Sequence, residues 1–289
     1  MGIFPRRVLL ATDGSEDARG AYRAAVGLAQ STGAELHLVH AWRTEPSKAH
    51  AVTMPALRTA WYEQKAGELI SKETERIENT GAILEGAHTV RGEAVEGILG
   101  VAADLGADLL VVGSRGLGFL GRLISGSVSE GVVRRAASPV LVAGGGERDW
   151  PPARVVAGVD FSEDSKEAAR LTAAVGMLHG APTLLVHAQP PLESGYRARV
   201  SPNDEGDARR AMVRLAREIG SELGEAPDAR IFVGDPAGCV LGAAEGGRQP
   251  VLIGVGRRGL GALERLAAGS VSTAVARAAA GPVLVYRRP

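Results

Sequence analysis

The sequence predicts an α/β protein of two tandem doubly wound domains, each a five-stranded parallel sheet flanked by helices. Three observations carry this. The chain is written twice, each copy alternates apolar runs with helix-like segments, and both copies place one glycine-rich pattern after their fourth apolar run.

The repeat is direct. "RVLLATDGSEDARGAYRAAVGLAQSTGAELHLVHAW" from Arg7 aligns without gaps on "RVVAGVDFSEDSKEAARLTAAVGMLHGAPTLLVHAQ" from Arg154 at an offset of 147. Asp13 falls on Asp160, Ser15 on Ser162 and His40 on His187. Further on, "VVGSRGLGFLGRLISGSVSEGVVRRAASPVLVA" from Val111 aligns with "GVGRRGLGALERLAAGSVSTAVARAAAGPVLVY" from Gly254 at an offset of 143. A repeat of this length is a duplicated domain. The Gly- and Pro-rich connector Gly144–Ala153 divides the chain into domains 1–146 and 147–289.

Within the first copy, Val8–Ala11 reads as a strand because it is short and continuously apolar, as a sheet covered on both faces requires. Glu16–Ser31 follows as a helix, with Ser15 as its cap. Leu36–His40 is the second strand. The segment 43–55 is polar and aperiodic, a loop or a lid. Ala56–Asn79 is helical, Leu84–Val90 a strand and Ala94–Leu105 a helix. Leu109–Val112 is the fourth strand, Val128–Ala137 a helix and Val140–Val142 the last strand. Ligands are expected outside the carboxyl ends of such strands. The final strands, Val140–Val142 and Val283–Val285, are short apolar edges that need cover.

Lys plus Arg and Asp plus Glu both number 33, so no basic excess points to nucleic acid or an anionic membrane. No apolar run is long enough to span a bilayer. The single cysteine, Cys239, forms no internal disulfide, which fits a reducing compartment. A cytoplasmic protein is expected.

Gly254, Gly256 and Gly259 spell the dinucleotide fingerprint G-x-G-x-x-G. The repeat argues against that reading, because Gly254 falls on Val111 and the pattern follows a fourth strand, not a first. What both copies share is Gly113-x2-Gly116-x9-Gly126-Ser127 and Gly256-x2-Gly259-x9-Gly269-Ser270. The glycines let backbone approach a ligand without a Cβ, and Gly-Ser opens a helix whose free N–H groups suit an anion. The structural alternative is a turn with Ser127 as a simple cap. No Walker Gly-x4-Gly-Lys-Ser/Thr occurs. Asp13 and Asp160, at the ends of the first strands, suit ribose hydroxyls or a divalent metal; the alternative is a chain-turning Asp.

These residues resemble the universal stress protein family in its tandem form, on "DGSE", "LVHA" and "VVGSRG…GSVSEGVVRRAASPVLV". The resemblance implies a Rossmann-like, adenine nucleotide alpha hydrolase-like fold and ATP with Mg as ligand. It also implies that the final strands pair the two halves about a pseudo-two-fold, with a homodimer beyond. The metal ligands are unassigned. It places the ribose on Asp13, adenine on the backbone of Ala41, and phosphates on Gly113, Gly116, Gly126, Ser127 and Val128. In the second copy the roles fall on Asp160, Ala188, Gly256, Gly259, Gly269, Ser270 and Val271. Arg115 and Arg258, inside the loops, are further contacts, each able to act as a finger on phosphate. Copy two departs at Phe161 for Gly14 and at Arg257 for Ser114, changes expected to weaken its site, Phe161 by narrowing the pocket.

Arg122 and Arg265 match within the spacer and read as solvated or phosphate-pairing arginines. His40 and His187 read as packed histidines, and Cys239 as core. Glu93 and Asp235 read as acids at helix starts. Three functions fit: a nucleotide-dependent stress sensor or switch, a slow ATPase or autophosphorylating enzyme, and a nucleotide-free interaction module.

Overall fold

A computed structural model describes residues 3–16, 18–44, 55–114, 127–144, 150–189, 203–246, 249–257 and 270–288. Within the first half the strands are β1 (Arg7–Ala11), β2 (Glu35–Trp42), β3 (Leu84–Arg91), β4 (Leu109–Gly113) and β5 (Val140–Ala143). The helices are α1 (Ala18–Thr32), α2 (Pro55–Glu78), α3 (Ala94–Leu105) and α4 (Ser127–Arg135). The second half repeats the order with β6 (Arg154–Gly158), α5 (Glu163–Leu178), β7 (Thr183–Gln189), α6 (Asn203–Leu223) and β8 (Asp228–Val233). It continues through α7 (Pro236–Ala244), β9 (Val251–Gly256), α8 (Ser270–Ala278) and β10 (Val283–Tyr286).

All ten strands join one sheet in the order β3-β2-β1-β4-β5-β10-β9-β6-β7-β8. Every pairing within a half is parallel, so each half is the doubly wound sheet its alternating pattern predicts. The seam is the exception. β5 and β10 run antiparallel, with Leu141 opposite Leu284, its own repeat counterpart. A strand that pairs antiparallel with its equivalent at equivalent residues defines a local two-fold, and it removes the two edges that were apolar.

Helices cover both faces. On one, a single apolar cluster runs from Ile98 of α3 and Val132 of α4 through the strands to Val240 of α7 and Val275 of α8. On the other, α1 and Ile77 of α2 share a cluster with Leu171 and Val175 of α5, while α5 and α6 close a third around Met212 and Ile219. The first two clusters contain residues of both halves, so the halves share their hydrophobic interior.

The connector, which composition marks as a linker, is anchored. Trp150 is 8% exposed within the second cluster. Its ring stands edge-on to His179 at 5.4 Å, and it lies so close to α1 that a Cβ on Gly27 would meet its Nε1 at 2.8 Å. Element ends moved little. α1 begins two residues later than expected because Asp13 and Ser15 first turn the chain, and β2 runs on to Trp42 because β3 pairs with it as far as Arg91. Among the described residues no helix is long and apolar enough to cross a membrane. Most of the segment 43–55 lies outside the described residues.

Candidate functional site

In the order β3-β2-β1-β4-β5, the connections leave β1 and β4 on opposite faces, so a crevice opens at their carboxyl ends. A cleft lies there. Ala11, Thr12 and Asp13 at the end of β1 form one wall with Ser15 and Ala18. Ala41 of β2 and Ala94 and Ile98 of α3 form the second. Val112, Gly113 and Ser114 at the end of β4, with Val128 and Ser129 of α4, form the third. Asp13, Ala41, Gly113 and Val128, far apart in sequence, therefore share one cleft. Ser127, just before them on α4, is exposed. Arg115, Gly116 and Gly126 lie outside the described residues, as does Arg122.

The local chemistry explains the geometry. The Asp13 Oδ1 accepts from the Ser15 backbone N–H at 3.0 Å, and the Thr12 Oγ1 accepts from the Gly14 N–H at 3.1 Å. These two bonds fold the chain back after β1, with Gly14 at φ +72, where a side chain is strained. The His40 Nδ1 donates to the Thr12 carbonyl at 2.9 Å, which pins the residue before Asp13 to β2. The histidine is a structural strut, as its lack of a partner acid suggested. The first turn of α4 reaches the cleft through Val128 and Ser129, and the start of a helix is where backbone N–H groups lack helical acceptors. At the flank, Glu93 holds the N-cap position of α3 without a side-chain capping bond and pairs with Arg43 at 2.9 Å in an exposed ion pair. Asp235 accepts from the Gly238 N–H at 2.8 Å as the cap of α7. Cys239 packs against the core, and burial pushes its thiol pKa up, helped by Asp235. Among the described residues no cluster of His, Cys, Asp and Glu could hold a metal ion.

The second half repeats this frame with substitutions. The His187 Nδ1 donates to the Val159 carbonyl at 2.7 Å, and the Asp160 Oδ1 accepts from the Ser162 N–H at 3.0 Å and its hydroxyl at 2.6 Å. Phe161 keeps the left-handed backbone of Gly14, at φ +66. A side chain there costs roughly 1–2 kcal/mol. Its ring lies on His187 at 4.5 Å and joins the α5–α6 core, so its bulk is taken up by the core. Val159 replaces Thr12 and removes a hydroxyl. Arg257 replaces Ser114. Ala188 and Gly256 hold the ends of β7 and β9, and Val271 the first turn of α8, beside Ser270. Arg258, Gly259, Arg265 and Gly269 lie outside the described residues.

Sequence reasoning missed Thr12, Ala94, Ile98 and Ser129 as cleft residues. Ser129 was detectable, since Ser272 matches it at the offset of 143. Thr12 was not, because its counterpart is Val159.

The sequence profile described as "Universal stress protein family" matches residues 5–144 and again 153–287. The chain belongs to the universal stress protein family. It does so as a tandem of two such domains. A universal stress protein of Thermus aquaticus is 37% identical over 145 residues, 47% of this chain and 97% of that protein. One from Mycolicibacterium smegmatis is 30% identical over 204 residues, 68% of this chain and 67% of its own length. Among solved structures, a universal stress protein from Archaeoglobus fulgidus covers 98% of this chain and 99% of its own, with TM-score 0.73 at 22% identity, a likeness of fold.

Proposed function

We propose that this universal stress protein binds ATP in the first-half cleft and acts as a nucleotide-dependent switch in a stress response. One observation carries the reading: a crevice at the β1/β4 switch point collects Asp13, Ala41, Gly113 and Val128, the residues that the family resemblance places around ribose, adenine and phosphates. The small side chains of Ala11, Ala18, Ala41 and Ala94 leave room for a flat base. Asp13 supplies acceptors for ribose hydroxyls at the end of β1. Gly113 and the first turn of α4 offer backbone N–H groups to phosphate. By sequence, Arg115, Gly116 and Gly126 complete the phosphate side. Magnesium accompanying the nucleotide would find in Asp13 the one carboxylate among the described lining residues, and would offset phosphate charge. Around Asp160, Ala188, Gly256, Ser270 and Val271 the second half offers a weaker version of the site, without the Thr12 and Ser114 hydroxyls.

Calorimetric titration of ATP into the protein and its Asp13→Ala and Asp160→Ala variants tests this. The tighter binding event is expected to vanish with Asp13→Ala and to survive Asp160→Ala. Absence of any ATP binding to the folded wild-type protein would overturn the reading.

A further inference from the structure

Arg257 follows β9 at the position Ser114 holds after β4, and the two side chains face different tasks. Ser114 lines the first-half cleft. Arg257, 4% exposed, turns into the seam between the halves. Its Nη1 donates to the carbonyl of Arg134 at 2.7 Å and to that of Ala136 at 3.3 Å. Arg287 adds a bond to the same Ala136 carbonyl at 3.1 Å. These carbonyls end α4, where the helix leaves acceptors open and its dipole is negative. A buried guanidinium is costly without such compensation, so the pairing serves both partners. A second bond reaches the flank of the helix, from Arg277 of α8 to Glu130 at 2.8 Å.

Neither bond is returned. At the offset of 143, Arg257 corresponds to Ser114 and Glu130 to Thr273. A serine is too short to reach the terminal carbonyls of α8, and a threonine offers Arg134 no carboxylate. A symmetric two-fold interface repeats every contact; here the Arg257 bonds end on α4 alone, and the Arg277–Glu130 pair ties α8 to α4 once where a symmetric seam would do so twice. The helix so gripped is the one whose first turn, Val128 and Ser129, walls the cleft. It has nine residues, so a shift at its carboxyl end is carried to its amino end as a rigid rod.

We propose that Arg257 is a positioning residue for the nucleotide site of the opposite half: it fixes the phosphate helix α4 from behind, so that half two holds site one in register and site one does not reciprocate. This rests on the reading that half one binds ATP. Arg257 touches no ligand in this role. It acts through the carbonyls of Arg134 and Ala136.

The test combines ATP titration with amide hydrogen exchange on wild type, Arg257→Ser, Arg257→Lys and Glu130→Thr. Arg257→Ser is expected to weaken the binding event that Asp13→Ala removes by about tenfold, the scale of a partly buried cation at a helix end. Arg257→Lys, which keeps the cation with fewer directed donors, should restore part of that loss, and Glu130→Thr should cost less. In the nucleotide-free protein, α4 amides should exchange faster in Arg257→Ser while those of α8 stay as in wild type. Wild-type affinity in Arg257→Ser, or equal loosening of α4 and α8, overturns the proposal. Should Arg257→Ser fail to fold, Arg257→Lys carries the same comparison. If wild type binds no ATP, the function above falls, and the α4-against-α8 exchange still decides the clamp.

Discussion

The Nδ1 of His40 donates to the carbonyl of Thr12 at 2.9 Å, and His187 repeats the bond to Val159 at 2.7 Å. Each histidine ties the end of its second strand to the residue before the aspartate of the first. The strut helps set where Asp13 and Asp160 stand.

Removing the strut tests that role. His40→Phe keeps a ring and deletes the donor, so the Thr12 carbonyl loses its side-chain partner. A loss of about 1 kcal/mol in stability is expected, the net worth of one such bond. ATP affinity in the first half should fall with it, since Asp13 moves. Denaturant melts and titration read both, and an unchanged affinity would show that Asp13 is positioned by its own turn alone.

Trp150 makes the connector part of the interior. Trp150→Ala leaves a cavity between α1, His179 and the seam and should destabilise by about 3–5 kcal/mol, the usual cost of truncating a buried Trp. A cost below 1 kcal/mol in urea unfolding would mean that the connector contributes nothing to joining the halves.

Acid should weaken the fold through two histidines. Burial pushes the pKa of His37 down, with His88 adding to it, and burial alone does so for His179. A folded pKa below the unfolded value near 6.5 means the unfolded chain takes up protons first, so this stability is present above that value and lost as the pH falls below it. Melting temperature should drop between about pH 7 and pH 5, and His37→Gln combined with His179→Gln should flatten that slope. A double variant with an undiminished slope would assign the loss to other groups.

Hydrolysis should be slow. The described lining of the cleft contains no lysine or arginine, and backbone N–H groups at a helix start hold ground-state charge without preferring a transition state. ATP should therefore stay intact through a long incubation with stoichiometric protein. Phosphate release within seconds in a single turnover would make the protein an enzyme, with Arg115 or Arg258 as the first residue to mutate.

Much of this was legible in the chain alone, because the signals are local or repeated. Strand runs such as Val8–Ala11 declare themselves by apolar continuity, and Asp13, Gly113 and Ser127 by recurring at fixed offsets in the second copy. The short apolar ends at Leu141 and Leu284 marked edges that need cover, and the family resemblance is what paired them. Tertiary structure alone decided what depends on distance through space. Trp150 reads as linker by composition and is buried because α1 and α5 close over it. Phe161 reads as a bulky intrusion beside Asp160, and its ring goes to the α5–α6 core because Met212 and His187 stand within reach. Arg257 reads as a lost serine. Only the antiparallel pairing of β5 with β10 brings its guanidinium to the open carbonyls of α4, because a helix end offers an arginine those acceptors only when the fold places the two side by side.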